Sequence, residues 1–165
     1  MQYMKLDTAE REALLAGLGG MVGYLDDAFS TLNAAQARVP GPDDSFSPVE
    51  QVWHLTDLER EGFAVRIDRL ARGGSPHLTD FDGAAIAKAR NYRALSLAGG
   101  LAAFRAARER NISILRAVAS AEVWAQSGTQ EGVGSVSLCD MPSFMSQHDA
   151  AHRAEIEAWK RQGAQ

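Results

Sequence analysis

The sequence of 165 residues contains a single cysteine, Cys139. One cysteine excludes an internal disulfide and any metal site built from several thiolates. It also fits a protein of a reducing compartment. Its place in the loop before the predicted last helix favours a packed small residue over a nucleophile. A metal site in this chain would therefore need His, Asp or Glu ligands.

Long apolar runs are lacking as well. No stretch approaches eighteen uninterrupted apolar residues, and the start, MQYMKLDTAEREALL, has neither the basic nor the continuous apolar region of a signal peptide. We therefore expect a cytoplasmic protein with no membrane partner.

The chain also lacks an excess of positive charge. Its 17 basic and 21 acidic residues give a formal net charge of -4, and no basic stripe is present. Because binding to a phosphate backbone depends on clustered Lys and Arg, nucleic acid is not an expected partner. A small-molecule substrate is the expected one.

The composition is that of a globular chain, with 45% hydrophobic and 23% charged residues. Its length predicts one domain, residues 1–165, that buries roughly two-thirds of its unfolded surface. Such a core does not need a metal to hold it together, so a bound metal would be functional.

Apolar residues recur at intervals of three and four and predict an all-α fold. The four predicted helices extend over about residues 7–35, 47–71, 98–120 and 140–161. The long connection from about 73 to 96 contains a short helical piece, and the segment SGTQEGVGSVS predicts a loop or a small hairpin. We predict a four-helix bundle with a long crossover between helices two and three.

Three glycines, Gly19, Gly20 and Gly23, lie inside the first predicted helix. Each weakens a helix by up to about 1 kcal/mol relative to Ala, so packing must hold the helix in place. Another helix that approaches closely at these positions is the expected reason for them.

Two of the four histidines, His148 and His152, are four residues apart on the predicted last helix. Their side chains therefore project from one face, and they follow its apolar stripe. Two adjacent buried imidazoles can share a metal ion, which satisfies their nitrogens. The alternatives are a hydrogen-bonded pair in the core and a half-buried pair at the end of the bundle.

A third ligand must come from another helix, and His54 on helix two is a better candidate than His77, which we expect to be exposed. Taken alone, His54 would be read as a boundary histidine. Asp57 and Glu61 follow it by three and seven residues and could orient an imidazole, approach the metal or accept a proton. Solvated charges on an amphipathic helix are the alternative reading of both.

Two segments resemble the DinB/YfiT-like family, namely SPVEQVWHL at 47–55 and QHDAAHRAEI at 147–156. The stretch from FDG at 81–83 through NYR at 91–93 is also similar. The resemblance implies a four-helix bundle, often a homodimer, in which His54, His148 and His152 hold a divalent metal such as zinc or nickel. Relatives include thiol-dependent S-transferases and a mycothiol-dependent isomerase.

Three histidine ligands leave a coordination position open, which is typical of catalytic sites. Our leading hypothesis is a metal-dependent S-transferase that uses a low-molecular-weight thiol as cosubstrate. Metal-dependent hydrolysis and a non-catalytic metal- or ligand-binding protein, such as a stress-response bundle, are the alternatives. Family likeness and the extra apolar residues Leu55 and Leu58 predict a homodimer.

Overall fold

Four long helical segments form the frame of the protein, which a computed structural model describes over residues 3–163. The helices are α1 (Thr8–Phe29), α2 (Pro48–Asp57), α3 (Ala64–Arg72), α4 (Gly83–Arg90), α5 (Leu97–Ala117), α6 (Ala121–Trp124) and α7 (Met141–Gly163). A π-helical turn, Leu58–Phe63, joins α2 to α3, so the two make one continuous helix. The bundle consists of α1, this α2–α3 segment, α5 and α7, which confirms the predicted fold. No helix among residues 3–163 is long and apolar enough to cross a membrane.

Two of the predicted helices end earlier than expected, and side-chain caps explain why. Helix α1 stops at Phe29 rather than near Ala35, because the Asn33 side chain accepts hydrogen bonds from the next backbone N–H groups and starts a 3₁₀ turn, Gln36–Arg38. Helix α5 stops at Ala117 rather than Ser120, since Ser120 caps the short α6.

The crossover between α3 and α5 carries a short strand and the helix α4. Strand β1 (His77–Leu78) pairs in parallel with β2 (Ser127–Gln130), and β2 pairs antiparallel with β3 (Gly134–Ser137). The predicted hairpin is thus confirmed, whereas its pairing with the crossover was not foreseen. Gly128 permits that pairing, because a Cβ there would lie 2.3 Å from the carbonyl oxygen of Pro76.

The hydrophobic core consists of two clusters along the bundle axis. The first contains Leu18, Phe63, Ile67, Leu70, Ile112, Leu115, Met141 and Met145, and the second contains Met21, Leu25, Val52, Leu55, Phe104 and Ile156. On each bundle helix the two clusters meet at the same level. Polar side chains from three of these helices fill that level, which we call the middle layer. His54, Glu59, Arg108, Asn111, Asp149 and His152 are buried there, and His148 is half-buried. The candidate ligands therefore belong to a polar layer within the core.

The predicted close helix approach at the glycines of α1 is wrong. A Cβ on Gly20 or Gly23 would meet nothing within 4 Å, and one on Gly19 would make an ordinary 3.8 Å contact with Ile112. Helices α2 and α5 instead approach closely at Gly100. A Cβ at this residue would lie 2.8 Å from the Val52 side chain and would push α5 away from α2.

Candidate metal centre

His54, His148 and His152 converge in the middle layer. One ring nitrogen of each lies within 4.8 Å of the others, and the Nε2 atoms of His148 and His152 are 3.1 Å apart. His54 comes from α2 and the other two from α7, so the structure brings together the three predicted residues. His77 lies elsewhere, exposed beside Thr129 and Glu131, as expected.

The orientation of His152 is fixed by two side chains that the sequence did not single out. Its Nδ1 lies 2.6 Å from Gln51 Oε1 and 3.2 Å from Glu155 Oε2. The Gln51 amide nitrogen donates to Glu155 at 2.7 Å, which turns its carbonyl oxygen toward the imidazole. Both partners of Nδ1 are acceptors, so Nδ1 carries the proton and the lone pair of Nε2 points at His148 and His54.

His54 is held by close packing rather than by hydrogen bonds. Phe46 and Phe81 flank its ring, with centroids 5.3 and 6.1 Å away. A Cβ on Gly83 would lie 2.3 Å from its Cε1, so only glycine at the start of α4 leaves room for the ring. Its Nδ1 is buried and has no partner among the described residues. A buried imidazole nitrogen without a hydrogen-bond partner, on a histidine that lies close to two other histidines, is typical of a metal ligand.

Burial favours the neutral form of His54 and His148. Desolvation, reinforced by the neighbouring histidines, lowers the pKa of His54 to about 4 and that of His148 to about 3. The hydrogen bond with His152 is the main cause that lowers the pKa of Glu155 to about 2. Neutral imidazoles backed by a carboxylate are the protonation states that metal binding requires.

Asp57 and Glu61 form hydrogen bonds and ion pairs with residues of the crossover. Asp57 is buried and accepts hydrogen bonds from Arg90 at 2.5 Å and from the Tyr92 hydroxyl at 2.6 Å. Glu61 is exposed and forms a bidentate pair with Arg90, which lowers the pKa of Glu61. The polar partners of the histidines among residues 3–163 are instead Gln51 and Glu155. A catalytic role for Asp57 or Glu61 stays a prediction.

A cleft of about 490 Å³ opens onto two of the three histidines. It is lined by His54, Leu58, Phe63, Arg66, Asp80, Phe81, Gln130, Val133, Phe144, Gln147 and His148. Leu58, Phe63, Phe81 and Phe144 make its walls apolar, and the β2–β3 hairpin borders it through Gln130 and Val133. A small molecule in this cleft would reach the histidines.

Fold and site together define a helical-bundle protein with a candidate three-histidine metal centre. A family model described as the DinB superfamily matches residues 22–156. The chain therefore belongs to the DinB superfamily. A comparison with curated proteins found no matching sequence.

Solved structures agree with this assignment at the level of the fold. The chain is similar to YfiT from Bacillus subtilis, described as a probable metal-dependent hydrolase with an unusual four-helix bundle topology. The two structures align with a TM-score of 0.86 and 16% sequence identity, and the match covers 96% of this chain and 90% of that chain. It is also similar to a mycothiol-dependent maleylpyruvate isomerase, with a TM-score of 0.73 and 11% identity. That match covers 94% of this chain but 63% of the isomerase, so the chain spans less than two-thirds of that protein.

Sequence reasoning missed several residues of the site. Gln51 precedes His54 by three residues and Glu155 follows His152 by three, so each shares a helix face with a predicted ligand. That spacing was a usable signal. The role of Gly83 had no local signal, because it depends on which segments meet at the cleft.

Proposed function

We propose that this chain is a divalent-metal-dependent enzyme that transfers a low-molecular-weight thiol to a small electrophilic substrate. The observation that carries the proposal is the convergence of three imidazoles, two of which line an apolar cleft. His54, His148 and His152 are the proposed ligands, and zinc or nickel suits an all-nitrogen set.

Each residue of the site has a distinct part in this proposal. Gln51 and Glu155 hold the Nε2 lone pair of His152 toward the other imidazoles. Gly83 and Phe81 seat His54, while the apolar walls exclude water from the reacting molecules. A bound divalent ion supplies a positive charge that lowers the pKa of a thiol or a water molecule beside it.

Thiol transfer is favoured over hydrolysis by the character of the cleft. Its walls suit an apolar electrophile, and a protein of similar fold is a mycothiol-dependent isomerase. Hydrolysis is the second candidate, because YfiT, described as a probable metal-dependent hydrolase, has the same fold over nearly its whole length. Asp57 and Glu61 are the candidate proton acceptors in either reaction.

The first test is the metal content of the untagged protein, measured by plasma mass spectrometry. We expect near-stoichiometric zinc, nickel or a similar ion in the wild type and its loss in His148→Ala and His152→Ala. His77→Ala is the matched control, since His77 is exposed and away from the centre, and it should retain the metal. A folded wild type that neither contains nor accepts a divalent ion would refute the proposal.

The reaction is tested by titration of free thiol after incubation with a panel of electrophiles. Metal-dependent loss of thiol supports transfer, whereas metal-dependent cleavage of esters or amides without thiol loss supports hydrolysis. Metal binding without either reaction across a broad panel would point to a non-catalytic metal- or ligand-binding protein.

A further inference from the structure

A buried arginine faces the cleft without a partner. Arg66 on α3 is only 8% exposed, yet it forms no ion pair or hydrogen bond with any residue between 3 and 163. Its guanidinium carbon lies 5.8 Å from the centroid of the Phe63 ring. Arg66 lines the same cleft as His54 and His148.

The Arg66 guanidinium reaches solvent only through the cleft, since the residue is 8% exposed and none of its nitrogens is fully enclosed. Buried charges are normally paired, because removal of a charged group from water is not otherwise compensated. Asp80 lies on the same cleft and is exposed, and it makes no ion pair with Arg66. Burial accordingly lowers the pKa of Arg66, with Asp80 opposing that effect. The other buried arginine of the described chain, Arg108, pairs with the carboxylates of Glu59 and Asp149.

The cleft also contains an unused acceptor. Gln130 on β2 is 8% exposed, and its Oε1 has no hydrogen-bond donor among the described residues. The Gln130 side chain lines the same cleft as Arg66, but its Oε1 atom is enclosed. The free cationic donor of Arg66 is therefore what defines the charge that a ligand of this cleft must carry.

We infer that Arg66 is the recognition residue for a carboxylate on the small molecule that this cleft binds. The planar guanidinium matches a carboxylate in a two-point contact. The apolar body of the ligand packs on Phe81 and Phe144, which line the same cleft. This inference rests on the proposed function, because it names the charge of the molecule that reaches the three histidines.

The carboxylate can belong either to the thiol or to the electrophilic substrate, and matched probes separate these sources. We would measure binding by calorimetry for 3-mercaptopropionate and its methyl ester on zinc-loaded protein. Benzoate and benzamide would be measured on zinc-loaded and on metal-free protein. The variants are Arg66→Met, Arg66→Lys and, as a control, Arg72→Met, which alters an exposed arginine six residues along the same helix.

We expect the wild type to bind at least one acid more tightly than its uncharged counterpart, by about tenfold or more, as a charge-assisted hydrogen bond provides. Arg66→Met should abolish that preference, Arg66→Lys should retain part of it, and Arg72→Met should leave it intact. A preference confined to the thiol pair places the carboxylate on the thiol. A preference for benzoate places it on the second substrate.

Two results would overturn the inference: an unchanged preference in folded Arg66→Met protein, or no preference in the wild type for either pair. The melting temperature serves as the folding check, and we expect Arg66→Met to melt near the wild type because the substitution breaks no ion pair or hydrogen bond within residues 3–163. Benzoate binding to metal-free protein keeps this test separate from the metal proposal. A chain without metal could still show an Arg66-dependent anion site, and a metal enzyme could lack one.

Discussion

Gly83 sets the position of His54. A Cβ at this residue would overlap the imidazole, with a separation of 2.3 Å from Cε1 and 2.6 Å from Nδ1. The His54 ring is confined by Phe46 and Phe81 and cannot turn away freely. One methyl group at position 83 therefore tests how precisely the third ligand must be placed.

We predict that Gly83→Ala weakens divalent-metal binding by about tenfold or more, since displacement of one of three ligands costs on the order of 1 kcal/mol or more. The measurement is competition with a chelator of known affinity. Gly20→Ala is the matched control, because its Cβ meets nothing within 4 Å. That variant should keep its metal affinity and gain about 0.5–1 kcal/mol of stability. Equal metal affinity in both variants would contradict the role of Gly83.

The histidines also make the stability of the metal-free protein depend on pH. The pKa values of His54 and His148 are about 4 and 3 in the folded chain, below the 6.5 of an unperturbed histidine. Between these values the unfolded chain binds more protons than the folded one, so the free energy of unfolding rises with pH. The contribution is fully present above about pH 6.5 and is lost as the pH falls toward 4.

We therefore predict that metal-free wild type loses stability between about pH 7 and pH 5, and that His148→Phe loses less over the same interval. Urea unfolding at each pH measures this difference. Because Phe63 already packs against the His148 ring, phenylalanine is a suitable replacement. An identical pH dependence in the two proteins would show that His148 does not titrate as described.

The π-helical turn between α2 and α3 decides which side chains of this helix face the cleft. They are His54, Leu58, Phe63 and Arg66, separated by four, five and three residues. The step of five falls in the turn, where the N–H of Ala64 donates to the carbonyl of Glu59, five residues back. In an uninterrupted α-helix, Gly62 and Val65 would occupy the cleft-facing positions that Phe63 and Arg66 hold here. One extra residue thus aligns Arg66 with His54 and points Glu59 into the core.

A buried ion network ties three helical segments together in the middle layer. Arg108 on α5 contacts Asp149 on α7 at 2.6 and 2.8 Å and Glu59 of the π-helical turn at 2.8 Å. It also donates to the carbonyl of Leu18 on α1 at 3.0 Å. Asn111 donates to the Glu59 carboxylate at 2.7 Å. Since Asp149 adjoins His148, the network also braces the helix that carries two of the proposed ligands.

We predict that Arg108→Met lowers the free energy of unfolding by about 3–5 kcal/mol, because two buried carboxylates lose their counterion. Arg105→Met is the control on the same helix. Arg105 pairs with Asp26 at the surface, so its loss should cost less than about 1 kcal/mol. Chemical denaturation measures both. Similar losses in the two variants would mean that the network contributes no more than a surface pair.

At the scale of the whole molecule, the structure removes one of the two reasons for expecting a homodimer. Leu55 and Leu58, which seemed available beside the stripe of helix two, are 1% and 6% exposed and pack in the two core clusters of the chain itself. That part of the reasoning was wrong. Large hydrophobic side chains exposed among the described residues are Val39, Val65, Ile114 and Val133.

Homodimerisation stays a prediction that rests on family likeness. Light scattering at micromolar concentration would give about twice the chain mass of 17.8 kDa for a dimer. Val133→Ser and Ile114→Ser would then identify which exposed face is used. A mass near that of one chain would exclude the dimer.

Local sequence patterns predicted much of the structure of this protein. Helix periodicity, the caps at Asp7 and Ser47 and the four-residue spacing of His148 and His152 depend on neighbours along the chain, so sequence alone determined the bundle and two of the proposed ligands. The place of His54 on helix two made it the better candidate for the third ligand, and family resemblance strengthened that prediction. These features need no knowledge of how the helices pack.

Tertiary structure decided the rest, because it depends on contacts between distant segments. Gln51 meets His152 across 101 positions, and Gly83 reaches His54 only because the crossover folds back over α2. The π-helical turn follows from packing rather than propensity, and it alone brings Arg66 to the cleft. A local sequence pattern predicts which residues share one face of a helix. The chemistry of this cleft depends on which helix faces pack against one another.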